Sequence, residues 1–338
     1  MFAIKTKYSR VRSIVIGVSL ILSIFLLVAC TSETSELLPA IATISRPTEV
    51  PEYQTPTNEP TATGEPTATA EPTATAEPTP TLIPSITNEP IEESLPVDPQ
   101  RIEFEAEDGT VLVGFYYPPT KSSAPLIIMM HWARGDQTDW VEIAQWMQNR
   151  VDEYPEGERP SETTVSSMLP MMPEELSYAV FTFDFRGFGE STQSSTSGES
   201  EGWLMDAVAA VDIAKNLSGV SASKYINIGA SIGGDGAVDA CDEGCNGALS
   251  ISPGSYLGVN YSDAVSRLES LNPNALTWCL ASEADAASFE ACQAAEGENL
   301  IRIIYPGKSH GMDLFQTGLQ PDIAQVLLEF ILLSFGND

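Results

Sequence analysis

The sequence predicts an α/β domain over residues 101–338, with a mostly parallel sheet of eight strands and helices on both faces. Three observations predict it. Two apolar runs flank an Asp-Gly turn, six further short apolar runs lack the alternation of a half-exposed strand, and helical patterns separate those runs. Strands buried on both faces read as continuous apolar segments, and strands alternating with helices build a parallel sheet.

Taken in order, strands at 102–106 and 111–117 are joined by Asp108-Gly109, a favoured hairpin dipeptide. The buried strands follow at 125–130, 179–183, 225–229, 248–252, 276–281 and 301–305. Helical patterns occupy 140–148, 203–217, 233–241, 286–295 and 323–335. In such sheets ligands bind at the carboxyl ends of the strands, so the residues just after each strand carry the most information.

The first hundred residues are different material. Lys5, Lys7, Arg10 and Arg12 precede a run at 13–29 that is apolar apart from serines and a glycine, the pattern of an export signal. The run ends in Leu27-Val28-Ala29-Cys30, which resembles the lipobox of bacterial lipoproteins. That resemblance implies cleavage before Cys30, lipidation of Cys30 and a membrane-anchored location in the bacterial cell envelope, outside the cytoplasm; an uncleaved membrane anchor is the alternative. Residues 30–100 hold three copies of Glu-Pro-Thr-Ala-Thr, starting at Glu59, Glu65 and Glu71. So polar a repeat cannot bury a core, and its prolines favour an extended, disordered linker.

Charge and histidine content exclude some functions. Among 338 residues, 47 are acidic and 16 basic, a formal charge of -31. A chain this acidic is repelled by phosphate backbones, so nucleic acid is not an expected partner. With only two histidines, His131 and His310, and no cysteine spacing suited to zinc, no metal site is expected.

The strand ends hold the chemistry. His131-Trp132-Ala133-Arg134-Gly135 follows the third strand, Asp184-Phe185-Arg186-Gly187-Phe188-Gly189-Glu190-Ser191 the fourth, and Gly229-Ala230-Ser231-Ile232-Gly233 closes the fifth. The last is G-x-S-x-G, in which small residues let a strained strand-to-helix turn present a serine above the sheet. These segments resemble the α/β-hydrolase family over essentially all of residues 101–338, most closely its small capless members of the dienelactone hydrolase and esterase kind.

The resemblance implies a serine hydrolase without a cofactor, acting on a small-molecule ester or related acyl bond, with Ser231 as nucleophile. The family order of serine, acid and histidine puts the base after the last strand, where His310 stands. It puts the acid after the seventh, where Ser282-Glu283-Ala284-Asp285 makes Asp285 the choice; Glu283 and Asp263 are alternatives. A carboxylate is required there to hold the imidazole in the tautomer that accepts the serine proton. By the family pattern, the backbone amides of Ile232 and Ala133 form the oxyanion hole. Trp132 departs from that pattern, standing where the family has glycine, so the loop's conformation is open. His131, Asp184 and Arg186 are expected to brace loops.

Four cysteines remain besides Cys30, and three pairings are possible. Spacing suggests Cys241 with Cys245 and Cys279 with Cys292, the second pair bracketing Asp285; free buried thiols are the other reading. The connection at 253–275 is too short for a large cap, so an open site on a monomeric domain is expected, with Trp132, Tyr256, Tyr261 and Met312 as candidate lining. A peptidase of the same fold and a binding module that has kept the fold without the chemistry are the rival functions.

Overall fold

The computed structural model describes residues 95–154, 165–191 and 200–336. Cys30, the signal at 1–29 and the linker as far as residue 94 lie outside the described residues. Eight strands form one sheet: β1 (Gln100–Glu105), β2 (Val111–Tyr117), β3 (Ala124–Met130), β4 (Ala179–Asp184), β5 (Val220–Ala230), β6 (Cys245–Ile251), β7 (Leu276–Ser282) and β8 (Leu300–Tyr305). Their spatial order is β1-β2-β4-β3-β5-β6-β7-β8. β2 runs antiparallel to both β1 and β4, and all other neighbours are parallel.

Register aligns the carboxyl ends of the parallel strands. Met130 pairs with Phe183 and with Gly229, Ala230 with Ile251, and Ser282 with Tyr305. Loops leaving β3, β5, β7 and β8 therefore converge along one edge.

Among the described residues six α-helices cover the sheet: α1 (Val141–Gln148), α2 (Ser200–Ala214), α3 (Ile232–Asp239), α4 (Tyr261–Leu271), α5 (Ala286–Ala294) and α6 (Ile323–Phe335). The period of two along each strand divides the core. Leu126, Ile128 and Met130 face the layer of α2 to α5, whereas Ile127 and Met129 face α1 and α6. Burying an aliphatic side chain stabilises by about 1.5–3 kcal/mol, so sequestration on both faces accounts for the uninterrupted apolar runs.

Three departures from the sequence reading have physical causes. Residues 261–271, expected to be connection, form α4. Its Tyr261, Ala264, Val265 and Leu268 are buried at helical spacing, and the Asn260 side chain caps it by accepting from the Ser262 amide. Tyr261 therefore belongs to the core and lines no site. Residues 95–100, assigned by composition to the linker, are part of the domain. The buried Arg150 guanidinium donates to the carbonyls of Leu95 (3.0 Å), Pro96 (3.0 Å), Pro118 (3.2 Å) and Pro119 (3.1 Å), and Gln148 donates to Val97 (2.8 Å). β5 begins at Val220, earlier than the apolar run, because Val220 already pairs with Ala124 of β3, ahead of a register shift to Leu126 and Tyr225.

Two disulfides are present, Cys241–Cys245 and Cys279–Cys292. The second joins β7 to α5 across a separation of 13 residues that contains Asp285.

Candidate active site

Ser231 stands alone between β5 and α3, with φ 54° and ψ -115°. A residue with a side chain is strained in that region by about 1–3 kcal/mol, and the surroundings must hold it there. They do so by close approach: a side chain on Gly229 would overlap the Gly233 carbonyl, and one on Gly233 would overlap the Met130 carbonyl. The Ser231 amide donates to Ile251 of β6 at 2.8 Å, and its carbonyl accepts from Asp235 at 3.1 Å. The strand-to-helix turn is thereby fixed at both ends.

His310, in the loop after β8, connects two residues from other strand ends. Its Nε2 lies 2.9 Å from Ser231 Oγ and its Nδ1 lies 2.7 Å from Asp285 Oδ2. Carboxylate acceptance at Nδ1 fixes the proton there and leaves the Nε2 lone pair facing the serine. The alternatives to Asp285 take no part: Glu283 is exposed, and Asp263 is exposed in the first turn of α4.

Backbone bonds hold these loops side by side. The amides of Glu283 and Ala284 donate to the carbonyls of Tyr305 and Gly307, both at 2.9 Å, extending the β7–β8 register past the strands. Ser282 Oγ donates to the Ser309 carbonyl at 2.7 Å, and Ser252 Oγ accepts from the Gly311 amide at 3.0 Å. Two buried serines at the ends of β7 and β6 thus grip the residues on either side of His310. The sequence reading missed both, because a serine beside a strand end carries no distinguishing pattern.

For an oxyanion, Ile232 is the first residue of α3, where amides lack an intrahelical partner. The Ala133 amide donates to no acceptor among the described residues. Trp132 does not adopt positive φ, so replacing the expected glycine imposes no backbone strain there.

His131 is completely buried and joins the loops after β3 and β4. Its Nδ1 lies 2.7 Å from the Trp132 carbonyl, and its Nε2 accepts from the Phe185 amide at 3.0 Å, an arrangement that requires the neutral ring. Burial pushes its pKa down to about 4, in agreement. Asp184 accepts from the amides of Gln137 (2.9 Å) and Glu190 (2.8 Å). Arg186 pairs with the buried Asp206 of α2 at 2.8 Å and with Asp108 of the hairpin turn at 2.6 Å. Those bonds hold the Asp108 carboxyl well below its usual range. All three residues brace the framework.

Another carboxylate lies behind the nucleophile. Asp235, in the first turn of α3, accepts from the amides of Gly254 (3.1 Å) and Tyr256 (2.5 Å). It fixes the loop after β6 so that the Tyr256 ring meets His310 edge-on, centroids 6.3 Å apart. An acid among the small residues that follow the serine was the available signal.

No family model matches the chain. Escherichia coli K12 YfhR, an uncharacterized protein, is 26% identical over 153 residues, 44% of this chain and 44% of YfhR. YfhR of Salmonella typhi is 23% identical over 168 residues, 48% of this chain and 47% of that one. The chain thus spans less than half the length of the curated relatives it matches. Among solved structures, the α/β hydrolase GrgF from Penicillium sp. sh18 superposes with a TM-score of 0.50 at 15% identity, over 70% of this chain and 99% of GrgF. The Pyrococcus furiosus esterase Pf2001 gives 0.47 at 15% identity, over 71% and 94%. With its strand order and the GrgF superposition, the chain has the α/β-hydrolase fold.

Proposed function

We propose that this chain is a serine hydrolase that cleaves an ester or related acyl bond through an acyl-enzyme on Ser231, and that it is held outside the cytoplasm by a lipid on Cys30. The single observation that carries the chemistry is the bridging position of His310, 2.9 Å from Ser231 Oγ and 2.7 Å from Asp285 Oδ2. Ser231 Oγ attacks the carbonyl carbon while His310 Nε2 takes the hydroxyl proton. The amides of Ile232 and Ala133 receive the oxyanion, each donor contributing about 3–4 kcal/mol in the transition state. His310 then protonates the leaving alkoxide, and water repeats the sequence in reverse to free the acid and restore Ser231. Asp285 keeps the ring oriented and stabilises its charged form.

A fluorophosphonate probe tests this reading: labelling of the full chain is expected, and its loss in Ser231→Ala. A folded wild-type protein that neither labels nor hydrolyses p-nitrophenyl acetate overturns it. For the anchor, the mature amino terminus is expected to be acylated Cys30 by mass spectrometry, and any other terminus refutes the lipid.

A further inference from the structure

Trp132 stands where the resemblance to the α/β-hydrolase family puts a glycine, and its side chain spans two loops. Its indole abuts Gly311, the residue after His310, so closely that a side chain there would come within 2.7 Å of indole Cε3. Its Nε1 donates to Asp139 Oδ2 at 2.7 Å, which pins the ring to its own side of the cleft. The Arg134 guanidinium lies 4.5 Å from the centre of the indole and reaches across to Asp313 at 3.3 Å. The indole thus has a fixed edge, a covered face and a contact on the neighbouring loop. Ala133, whose amide has no acceptor among the described residues, lies between the two residues that make these bridges.

We propose that Trp132 is a positioning residue that fixes the Ala133 amide relative to His310, an inference that rests on the hydrolase reading above. A stack of indole against Gly311 sets the spacing between the loop after β3 and the loop after β8. Oxyanion stabilisation depends on that spacing, because a donor must meet the oxygen as it becomes charged, and a misplacement of about 1 Å costs roughly 100-fold in rate. The Trp132–Asp139 bond makes the spacer rigid.

Two variants in the full chain test it, Trp132→Gly and the surface change Asp139→Ala. With p-nitrophenyl acetate, Trp132→Gly is expected to lower kcat by about 10- to 100-fold per fluorophosphonate-titrated site, with KM within about twofold of wild type. Asp139→Ala is expected to lose less, and its effect is expected to vanish in the Trp132→Gly background. Trp132→Phe, which keeps a ring against Gly311, is expected to recover most of the rate. A phenylboronic acid, which takes the tetrahedral form on Ser231, is expected to bind more weakly in step with the fall in kcat/KM.

The inference is overturned if Trp132→Gly keeps wild-type kcat per titrated site, or if the whole loss falls on KM. Should Trp132→Gly not fold, Asp139→Ala decides. Inactivity of wild type itself refutes the hydrolase reading, whereas an active wild type beside an equally active Trp132→Gly refutes the positioning role alone.

Discussion

Asp235 accepts the Tyr256 backbone amide from its place one helical turn beyond Ser231, so the helix that carries the serine also anchors the loop beside His310. That carboxylate is buried, and burial pushes it up from 3.8 to about 7, as it does Asp239 one turn further along α3. Between pH 4 and 7 the folded protein therefore keeps protons that the unfolded chain has released. Stability from these groups is full below about pH 4, falls as pH rises to 7 and is level above it. At about 1.4 kcal/mol per unit of displacement, the fall is on the order of a few kcal/mol. Urea denaturation at several pH values is expected to show a smaller fall in Asp235→Asn than in wild type; equal slopes would contradict the assignment.

Asp285→Asn keeps the shape of the side chain but offers His310 an amide. The ring can then carry its proton on Nε2 and present no lone pair to Ser231. A drop in kcat of about 10⁴ at neutral pH is expected, with the melting temperature little changed. Steady-state hydrolysis of p-nitrophenyl acetate measures it.

Arg186 neutralises Asp206, which is fully buried. Removing the arginine strands that carboxylate, at a cost of about 3–5 kcal/mol. Arg186→Met is thus expected to lower the urea midpoint strongly, whereas Arg186→Met with Asp206→Leu is expected to regain much of the loss. Activity per fluorophosphonate-titrated site is expected to stay at the wild-type level in both.

The Cys279–Cys292 bond closes a short loop, and loop-closure entropy gives about 3 kcal/mol for a ring of that size. Replacing both cysteines by alanine is expected to lower stability by that order. Because the bond ties α5 to β7 on either side of Asp285, kcat is expected to become more sensitive to temperature. Denaturation and rate measurements from 15 to 45 °C check both.

Much of the fold was legible because its signals are local. The central parallel strands are buried on both faces and so announce themselves as apolar runs, and Gly229 and Gly233 mark a turn whose close approach needs them. The resemblance to the α/β-hydrolase family then points to Ser231, Asp285 and His310, and the structure places His310 within hydrogen-bond distance of the other two. Helix α4 was missed although Tyr261, Ala264, Val265 and Leu268 carry its period, since serines and charges fill the outward face and dilute the pattern. The contact of Trp132 with Gly311 and the grip of Ser252 on the Gly311 amide were beyond reach for another reason. They join residues far apart in the chain, and no periodicity encodes a meeting of two loops.

Arg150 holds Leu95 and Pro96 beside Pro118 and Pro119, at the edge of the sheet where the parallel strands begin. Ser231 sits where they end. A load applied through residue 95 is therefore taken up by a guanidinium clamp and the flank of α1, and the sheet's full strand length separates it from the serine. Residue 95 and Ser231 thus lie at opposite edges of the sheet, and a disturbance at one reaches the other only through the length of the buried strands.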